Sequence, residues 1–216
     1  MIYVQKSASA PSSLAQQSSY SSQDVITQLN DDFHGKCYIC EQQYITSYEV
    51  EHFIPHRNNN ALKYDWNNLF LSCRHCNSVK TARVFDDILN CSDISHQVEK
   101  AIRHYCNPFP KEFAIFEVKI PSIKANNTRD LLDKTFNGEH TGFKKLESAN
   151  LRALLLKEIK EFTDALEGFE DDECEKEYYK NKIIRHLNND SAFTAFKRWI
   201  IRDNQALCEE FGQYIN

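Results

Sequence analysis

Two Cys-x-x-Cys pairs constrain this chain more than any other feature of its sequence. The pairs are Cys37 with Cys40 and Cys73 with Cys76, and 32 residues separate them. Each pair can place two thiolates on one side of a metal ion, and two pairs complete the tetrahedral set of four that zinc prefers. The spacing therefore predicts a structural Zn²⁺ site with no open position, which would contribute on the order of 10 kcal/mol to folding.

The overall composition is typical of a soluble globular chain. Hydrophobic residues make up 41% and charged residues 26% of the sequence, and no apolar run approaches the roughly 18 residues that a membrane span needs. The N-terminus also lacks a charged start followed by an apolar stretch, which argues against a secretory signal. We therefore expect a cytoplasmic protein with no membrane association, in which paired cysteines bind metal rather than form disulfides.

The charge balance argues against a protein that holds nucleic acid without help. The net charge is −5 and the sequence pI is about 5.9, and acidic residues outnumber basic ones both in 1–107 and in 108–216. Proteins that bind nucleic acid unaided usually carry a basic balance or a basic stripe. A zinc-ribbon nucleic-acid reader is disfavoured for the same reason, and any grip on nucleic acid should come largely from a partner.

Composition divides the chain into three segments. Residues 1–23 are predicted to form an extended Ser/Gln-rich arm, either a flexible tail or an arm that orders against a partner. Residues 24–107 hold most of the cysteines and histidines, with a short helix at 24–33. Residues 108–216 are mainly helical, after short strands predicted from alternating apolar residues at 106–127. The expected fold class is α+β and mostly helical.

A long amphipathic helix is the clearest element of the C-terminal segment. Thr141 is its predicted N-cap, and Gly168 is expected just past its end. Apolar residues recur at steps of three and four, and they are Phe143, Leu146, Leu151, Leu154, Leu155, Ile159, Phe162 and Leu166. We expect further helices to follow and to complete a C-terminal helical domain.

The insert between the two cysteine pairs predicts two strands and the start of a helix. The stretch "SYEVEHF" alternates as a strand does, and "NLFLS" leads into the second pair. Strand alternation would place Glu51 and His52 on opposite faces unless the strand ends there. After Cys76, "NSVKTAR" is predicted to be helical, with Asn77 near the first turn and Lys80 on the same face.

The order C-x-x-C, E-H-x-x-P, N-L, C-x-x-C-N-x-x-K resembles the HNH nuclease family and its ββα-metal fold. By this resemblance, His52 corresponds to the general base that takes a proton from the attacking water. Glu51 corresponds to the acidic position beside it, which is a metal ligand in many members. Asn68 corresponds to the residue that fixes the loop orienting the histidine. The resemblance thus implies a phosphodiester hydrolase built on the zinc-stapled unit.

Asn77 stands where the last histidine of the family usually stands. An amide oxygen suits a hard cation, so the resemblance implies Mg²⁺ or Mn²⁺ as the catalytic ion, held by Glu51 and Asn77. Lys80 is a candidate contact for a nucleic-acid phosphate, with an ordinary solvated lysine as the alternative. His56 follows His52 by four residues, but the intervening proline argues against a helix that presents both to one zinc.

A wider resemblance covers residues 1–170 and includes "DWNNLFLSCRHCNSVK" and "NTRDLLDKTFNGEHTGFKKLESANLRALLLKEIKEF". These segments are similar to the HNH subunits (PtuB) of Septu anti-phage systems, including retron-associated versions. The resemblance implies an endonuclease effector that works with a PtuA-like ATPase, and possible association with a retron reverse transcriptase and its nucleic acid. DNA is the favoured substrate, RNA such as tRNA is an alternative, and a catalytically inactive zinc-stapled interaction module is another.

Overall fold

The computed structural model describes residues 1–107, 109, 113–139 and 141–215, and only the backbone of residues 82–84. The strands are β1 (Tyr48–His52), β2 (Leu69–Cys73), β3 (Ile102–Asn107) and β4 (Phe113–Val118). The helices are α1 (Gln23–Asp32), α2 (Asn60–Lys63), α3 (Arg74–Val84), α4 (Val98–Ala101), α5 (Ile123–Asn137), α6 (Gly142–Asp171), α7 (Lys176–Leu187), α8 (Thr194–Asp203) and α9 (Gln205–Phe211). These elements confirm the predicted α+β, mostly helical class.

Strands β1 and β2 form an antiparallel pair between the two cysteine pairs, as predicted. Glu51 lies opposite Phe70 and Glu49 opposite Ser72 in the register. Every residue of β2 is buried, so this strand anchors the unit in the core. Helix α3 follows β2 directly, and Cys73 at its N-cap accepts a hydrogen bond from the backbone N–H of Cys76. The second cysteine pair is therefore fixed at a strand-to-helix junction.

Strands β3 and β4 form a second antiparallel hairpin, which packs against α5 and α8. The predicted short strands are confirmed here, while residues 108 and 110–112 lie outside the described part of the chain. Three aromatic rings connect β4, α5 and α8. The ring centroid of Phe116 lies 5.4 Å from that of Phe136, and the ring centroid of Phe136 lies 5.6 Å from that of Phe196. This aromatic contact ties the hairpin to the helices.

Helix α6 begins as predicted but ends later. The side chain of Thr141 accepts a hydrogen bond from the backbone N–H of Lys144 at 3.1 Å, which confirms the N-cap. The prediction that Gly168 follows the helix is wrong, because α6 continues to Asp171. A Cβ atom at residue 168 would lie only 2.4 Å from the ring of Tyr179. The glycine is therefore needed for close packing of α7 against α6 rather than for a helix stop.

The apolar stripe of α6 is only partly buried. Leu151, Leu155, Phe162 and Leu166 are in the core, as the periodicity predicts. Three other members of the stripe remain exposed, namely Phe143 (82%), Leu146 (63%) and Leu154 (42%). The N-terminal half of α6 thus presents apolar side chains outward, because the elements that cover the helix reach only one side of it there.

The N-terminal segment packs into the protein, contrary to the expectation of an extended arm outside the core. Met1, Ile2, Val4 and Leu14 are each 5% exposed or less. Lys6 donates hydrogen bonds from Nζ to the backbone carbonyls of Trp66 and of Leu69, the first residue of β2. The segment's few apolar residues are enough to bury it against the unit that holds the two cysteine pairs, although they show no periodicity that would predict this.

The buried residues form two hydrophobic clusters. The first joins residues 1–155 with 192–196, and the second joins the end of α6 to α7, α8 and α9. The first cluster crosses the boundary predicted near residue 108, so packing alone does not divide the chain there. The division into a nuclease domain and a partner-docking domain stays a functional prediction. Within the described residues, no helix has an apolar stretch long enough to cross a bilayer.

Candidate active site and zinc clip

The four paired cysteines converge in the core, as their spacing predicts. The Sγ atoms of Cys37, Cys40, Cys73 and Cys76 lie within 4.8 Å of one another, and all four residues are buried. Zn–S bonds of about 2.3 Å separate tetrahedral sulfur atoms by about 3.8 Å, so the cluster fits zinc after a small contraction. Burial opposes ionisation, yet hydrogen bonds from the other three thiols hold the pKa of Cys37 well below its ordinary value. We call this cluster the zinc clip.

His75 lies between the last two cysteines and points away from the zinc clip, as predicted. Its Nδ1 atom lies 2.9 Å from a carboxylate oxygen of Glu147, and its Nε2 atom lies 2.9 Å from the carbonyl oxygen of Thr135. The imidazole therefore links the start of α3 to α5 and α6. Within the described residues, the cluster that could hold a metal ion contains the four cysteines and no histidine.

Asn68 fixes the loop that follows β1. The side-chain Nδ2 donates to the carbonyls of Ile54 (2.8 Å) and Leu62 (3.0 Å), and Oδ1 accepts from the N–H of Ile54 at 2.7 Å. Asn68 is only 4% exposed, so water competes little with these bonds. The loop that begins just after His52 is thus tied to the start of β2, which is the structural role that the HNH resemblance implies for this residue.

The imidazole of His52 is oriented by a hydrogen bond at one of its two ring nitrogens. Nε2 lies 3.0 Å from the backbone carbonyl oxygen of Lys63, and because a carbonyl only accepts, Nε2 carries the proton. In the neutral ring Nδ1 then holds the lone pair and can act as a base. Burial lowers the pKa of His52 below its ordinary value of 6.5, which keeps the ring neutral near pH 7.

Two further rings pack against His52. The ring of Tyr20 meets it edge-on, with the centroids 4.6 Å apart and the planes at 70°. The ring of His56 lies at the same centroid distance on a tilted plane. Tyr20 comes from the N-terminal segment, so that segment forms one wall of the candidate site. Neither ring contact follows from the sequence, because Tyr20 is distant along the chain and His56 lies outside any helix or strand.

Glu51 is buried in an ion pair with Lys80. Nζ of Lys80 lies 2.8 Å from Oε1 of Glu51 and also donates to the carbonyl of Phe53 at 2.9 Å. Lys80 is 1% exposed, so neither the predicted phosphate contact nor a solvated position agrees with the structure. Burial raises the pKa of Glu51, while the Lys80 charge opposes this shift. Lys80 therefore stabilises a buried carboxylate instead of facing the substrate.

The surroundings of the second carboxylate oxygen of Glu51 show whether this residue suits a hard cation. Oε2 is buried and has no hydrogen-bond partner among the residues that the structure describes. An unpaired buried carboxylate oxygen is costly unless something binds it, and carboxylate and amide oxygens are the ligands that Mg²⁺ and Mn²⁺ prefer. The donor set of Glu51 and Asn77 therefore fits the cation that the resemblance implies.

Asn77 lies on α3 and contacts an acidic residue of β1 that the HNH motif does not include. Its Nδ2 atom donates a hydrogen bond to Oε2 of Glu49, two residues before Glu51 on β1. Glu49 and Asn77 both line a cavity of about 350 Å³, which Tyr20 and Tyr48 also border. Strand alternation alone could have indicated Glu49, because residues 49 and 51 share one face of a strand.

The structure does not gather all predicted site residues at one point. Glu51 faces α3 and Lys80, whereas the imidazole of His52 contacts Tyr20, His56 and the Lys63 carbonyl. This separation follows from β1 continuing through both residues, which places neighbouring side chains on opposite faces. Tyr20 joins the two sides, because it touches His52 and also borders the cavity of Asn77.

Comparison with known proteins identifies one part of the chain. No curated protein matches the sequence. The family model of the HNH endonucleases matches residues 37–83, which begin at the first cysteine of the zinc clip and include both strands and most of α3. An HNH endonuclease domain therefore occupies residues 37–83 of this chain.

Proposed function

We propose that the chain is a metal-dependent endonuclease that hydrolyses phosphodiester bonds of nucleic acid. The observation that carries the proposal is the hydrogen bond from His52 Nε2 to the carbonyl of Lys63, inside the segment that matches HNH endonucleases. This bond leaves Nδ1 with the lone pair, so His52 can take a proton from the attacking water near neutral pH. Asn68 acts indirectly, because it fixes the loop that begins next to His52.

Glu51 and Asn77 would hold the catalytic cation. Oε2 of Glu51 offers a buried oxygen without another partner among the described residues, and Asn77 offers an amide oxygen. A bound Mg²⁺ or Mn²⁺ supplies stabilisation of the charge that develops on the phosphoryl group and the leaving oxygen. The zinc of the clip is structural in this proposal, since four sulfur ligands leave it no open position.

DNA is the favoured substrate, on the strength of the resemblance to Septu subunits, and RNA such as tRNA is the alternative. The proposed site residues act on the phosphodiester group, which DNA and RNA share. None of them is proposed to contact a base or a sugar hydroxyl, so they do not distinguish the two substrates. The decisive assay incubates the purified chain, together with a PtuA-like ATPase, with DNA and with total RNA. Mg²⁺ or Mn²⁺ and nucleotide are each supplied or withheld, so the assay reports substrate, ion and nucleotide dependence together.

A second candidate is a zinc-stapled interaction module that performs no chemistry. The observation that favours it is the placement of Glu51, clamped by Lys80, on the opposite face of β1 from His52. A His52→Ala variant separates the two functions. The nuclease proposal expects cleavage to be abolished with zinc content unchanged, and a His34→Asn variant at an exposed position serves as control. A His52→Ala chain that still protects cells against phage would favour the interaction module.

We further propose a defence role in complex with a PtuA-like ATPase, with a retron reverse transcriptase and its nucleic acid as a possible additional association. Two observations support a partner: the acidic net charge of −5 and the outward-facing Phe143 and Leu146 on α6. A Phe143→Asp/Leu146→Asp double variant should lose co-purification with the ATPase while keeping its zinc. Unchanged co-purification would place the docking surface elsewhere, and tight unassisted binding of DNA at physiological salt would contradict the need for a partner.

A further inference from the structure

Strand β1 and helix α3 face each other through two pairs of polar side chains. Glu49 and Glu51 are two residues apart on β1, so their side chains lie on the same face of the strand. Asn77 and Lys80 are three residues apart on α3, so their side chains lie on the same face of the helix. Asn77 bonds to Glu49 and Lys80 bonds to Glu51. Each candidate ligand of the catalytic ion therefore has its own charged neighbour, Glu49 for Asn77 and Lys80 for Glu51.

The chemistry of an amide makes the Glu49 contact informative. A carboxamide donates through its nitrogen and accepts through its oxygen, whereas a carboxylate only accepts. Glu49 must therefore face the Nδ2 side of Asn77, as the hydrogen bond shows. The Oδ1 atom is consequently turned to the other side of the amide. Since hard cations bind oxygen and not an amide nitrogen, the orientation of this amide decides whether Asn77 can act as a ligand.

Within the described residues, Glu49 is the carboxylate that hydrogen-bonds this amide. Glu51 directs Oε1 at Lys80, and its Oε2 has no partner there, so Glu51 is available to a cation but does not orient Asn77. Glu49 is half-buried and borders the cavity of about 350 Å³ next to Asn77. The amide and its carboxylate neighbour are thus reachable from solvent, as an exchangeable cation requires.

We propose that Glu49 is a positioning residue for the catalytic ion. Its carboxylate holds Nδ2 of Asn77 and so fixes Oδ1 as the atom offered to the cation. This inference rests on the proposed function, in which Asn77 and Glu51 are the ligands. Groups that orient a metal ligand in this way typically change metal affinity by about 10- to 100-fold when they are removed.

The test measures Mn²⁺ affinity of the full, zinc-loaded chain by titration calorimetry, with no substrate present. Glu49→Ala should weaken Mn²⁺ binding by about 10-fold or more. Glu49→Gln keeps an acceptor oxygen for Nδ2 and should bind within about 3-fold of the wild type, as should Glu173→Ala, which removes a carboxylate at an exposed position elsewhere. Zinc content and thermal unfolding are measured for each variant to confirm that the fold is intact.

Parallel variants separate failure of this inference from failure of the proposed function. If Asn77→Ala weakens Mn²⁺ binding but Glu49→Ala does not, the ion site stands and the role of Glu49 is wrong. If Glu49→Gln loses as much affinity as Glu49→Ala, Glu49 acts through its charge or as a direct ligand, and positioning is also wrong. If neither Asn77→Ala nor Glu51→Ala changes the affinity, the proposed ion site itself is overturned together with the inference.

Discussion

Lys80 and Glu51 form an ion pair that is almost completely shielded from water, with side-chain exposures of 2% and 7%. Removing one partner of such a pair leaves an uncompensated buried charge, which costs about 3–5 kcal/mol. Lys80→Met should therefore lower the free energy of unfolding by that amount in a denaturant titration of the zinc-loaded chain. Lys157→Met, at a side chain that is 73% exposed, should change it by less than about 0.5 kcal/mol.

A second substitution tests whether the buried charge causes this loss. Glu51→Gln combined with Lys80→Met removes the stranded carboxylate, so the double variant should recover part of the stability that Lys80→Met loses. If the double variant is as unstable as the sum of the two single variants, the loss comes from the packing of the lysine stem and not from an unpaired charge.

The zinc clip should determine whether the N-terminal half of the chain folds. Cys73 belongs to the four-cysteine cluster that could hold zinc and also caps α3, so Cys73→Ser should remove the zinc and abolish cooperative unfolding. Elemental analysis should find about one zinc per wild-type chain, as a single closed four-cysteine site requires. Cys174→Ser changes an exposed cysteine outside the clip and should keep both properties. A folded Cys73→Ser chain without zinc would contradict the structural role.

Tyr20 should affect catalysis through the position of His52. Tyr20→Ala removes the ring that meets the imidazole edge-on, and displacement of a catalytic group by about 1 Å can cost up to about 100-fold in rate. Tyr20→Phe retains the ring and should remain close to wild-type activity. Single-turnover cleavage rates compare the two variants, and equal loss in both would assign the effect to the hydroxyl rather than to ring packing.

Spacing and periodicity predicted the local parts of this site. The four cysteines, the strands around Glu51 and the helix that carries Asn77 all follow from short-range patterns. The contact of Tyr20 with His52 and the burial of Lys80 do not, because they depend on how distant segments pack. The helical pattern alone does not predict that Lys80 is buried. Its burial depends on the ion pair with Glu51, which lies on β1.

The end of α6 is another case in which packing between distant segments does not follow from the local sequence. Gly168 has the sequence signature of a helix stop, yet the structure uses the missing side chain to admit the ring of Tyr179. Local sequence cannot distinguish these two uses of glycine, because the second depends on α7. The exposed Phe143 and Leu146 are a related case, since periodicity predicts an apolar stripe but not what covers it.

The packing at Gly168 gives a stability prediction with an internal control. Gly168→Ala would place a Cβ atom 2.4 Å from the Tyr179 ring, and relieving such overpacking costs about 1–3 kcal/mol. The gain in helix propensity, about 1 kcal/mol, opposes this cost, so we expect a net destabilisation. Gly142→Ala, at the first residue of the same helix, meets no atom within 4 Å and should not destabilise. Thermal unfolding compares the pair, and equal melting temperatures would contradict the close packing.

His186 should make stability depend on pH in mildly acidic solution. Burial and then the charges of Lys197 and Lys182 lower the pKa of His186 from 6.5 to about 4, against an opposing effect of Glu161. Nζ of Lys197 lies 3.3 Å from Nδ1 of His186. Between about pH 6.5 and 4 the unfolded chain binds a proton at this residue and the native chain does not. The stability contribution is therefore complete above pH 6.5 and declines as the pH falls toward 4.

The half-exposed position of His186 limits the effect to about 1–2 kcal/mol after allowance for solvent screening. The measurement is the free energy of unfolding at pH 7.5 and at pH 5 for the wild type and for His186→Gln. Glutamine does not titrate, so the variant should lose less stability between these two pH values than the wild type. His34→Asn, at an exposed position, should retain the wild-type difference, because the repulsion from Lys197 is specific to His186. An unchanged pH dependence in His186→Gln would show that another group of the α6–α8 cluster carries it.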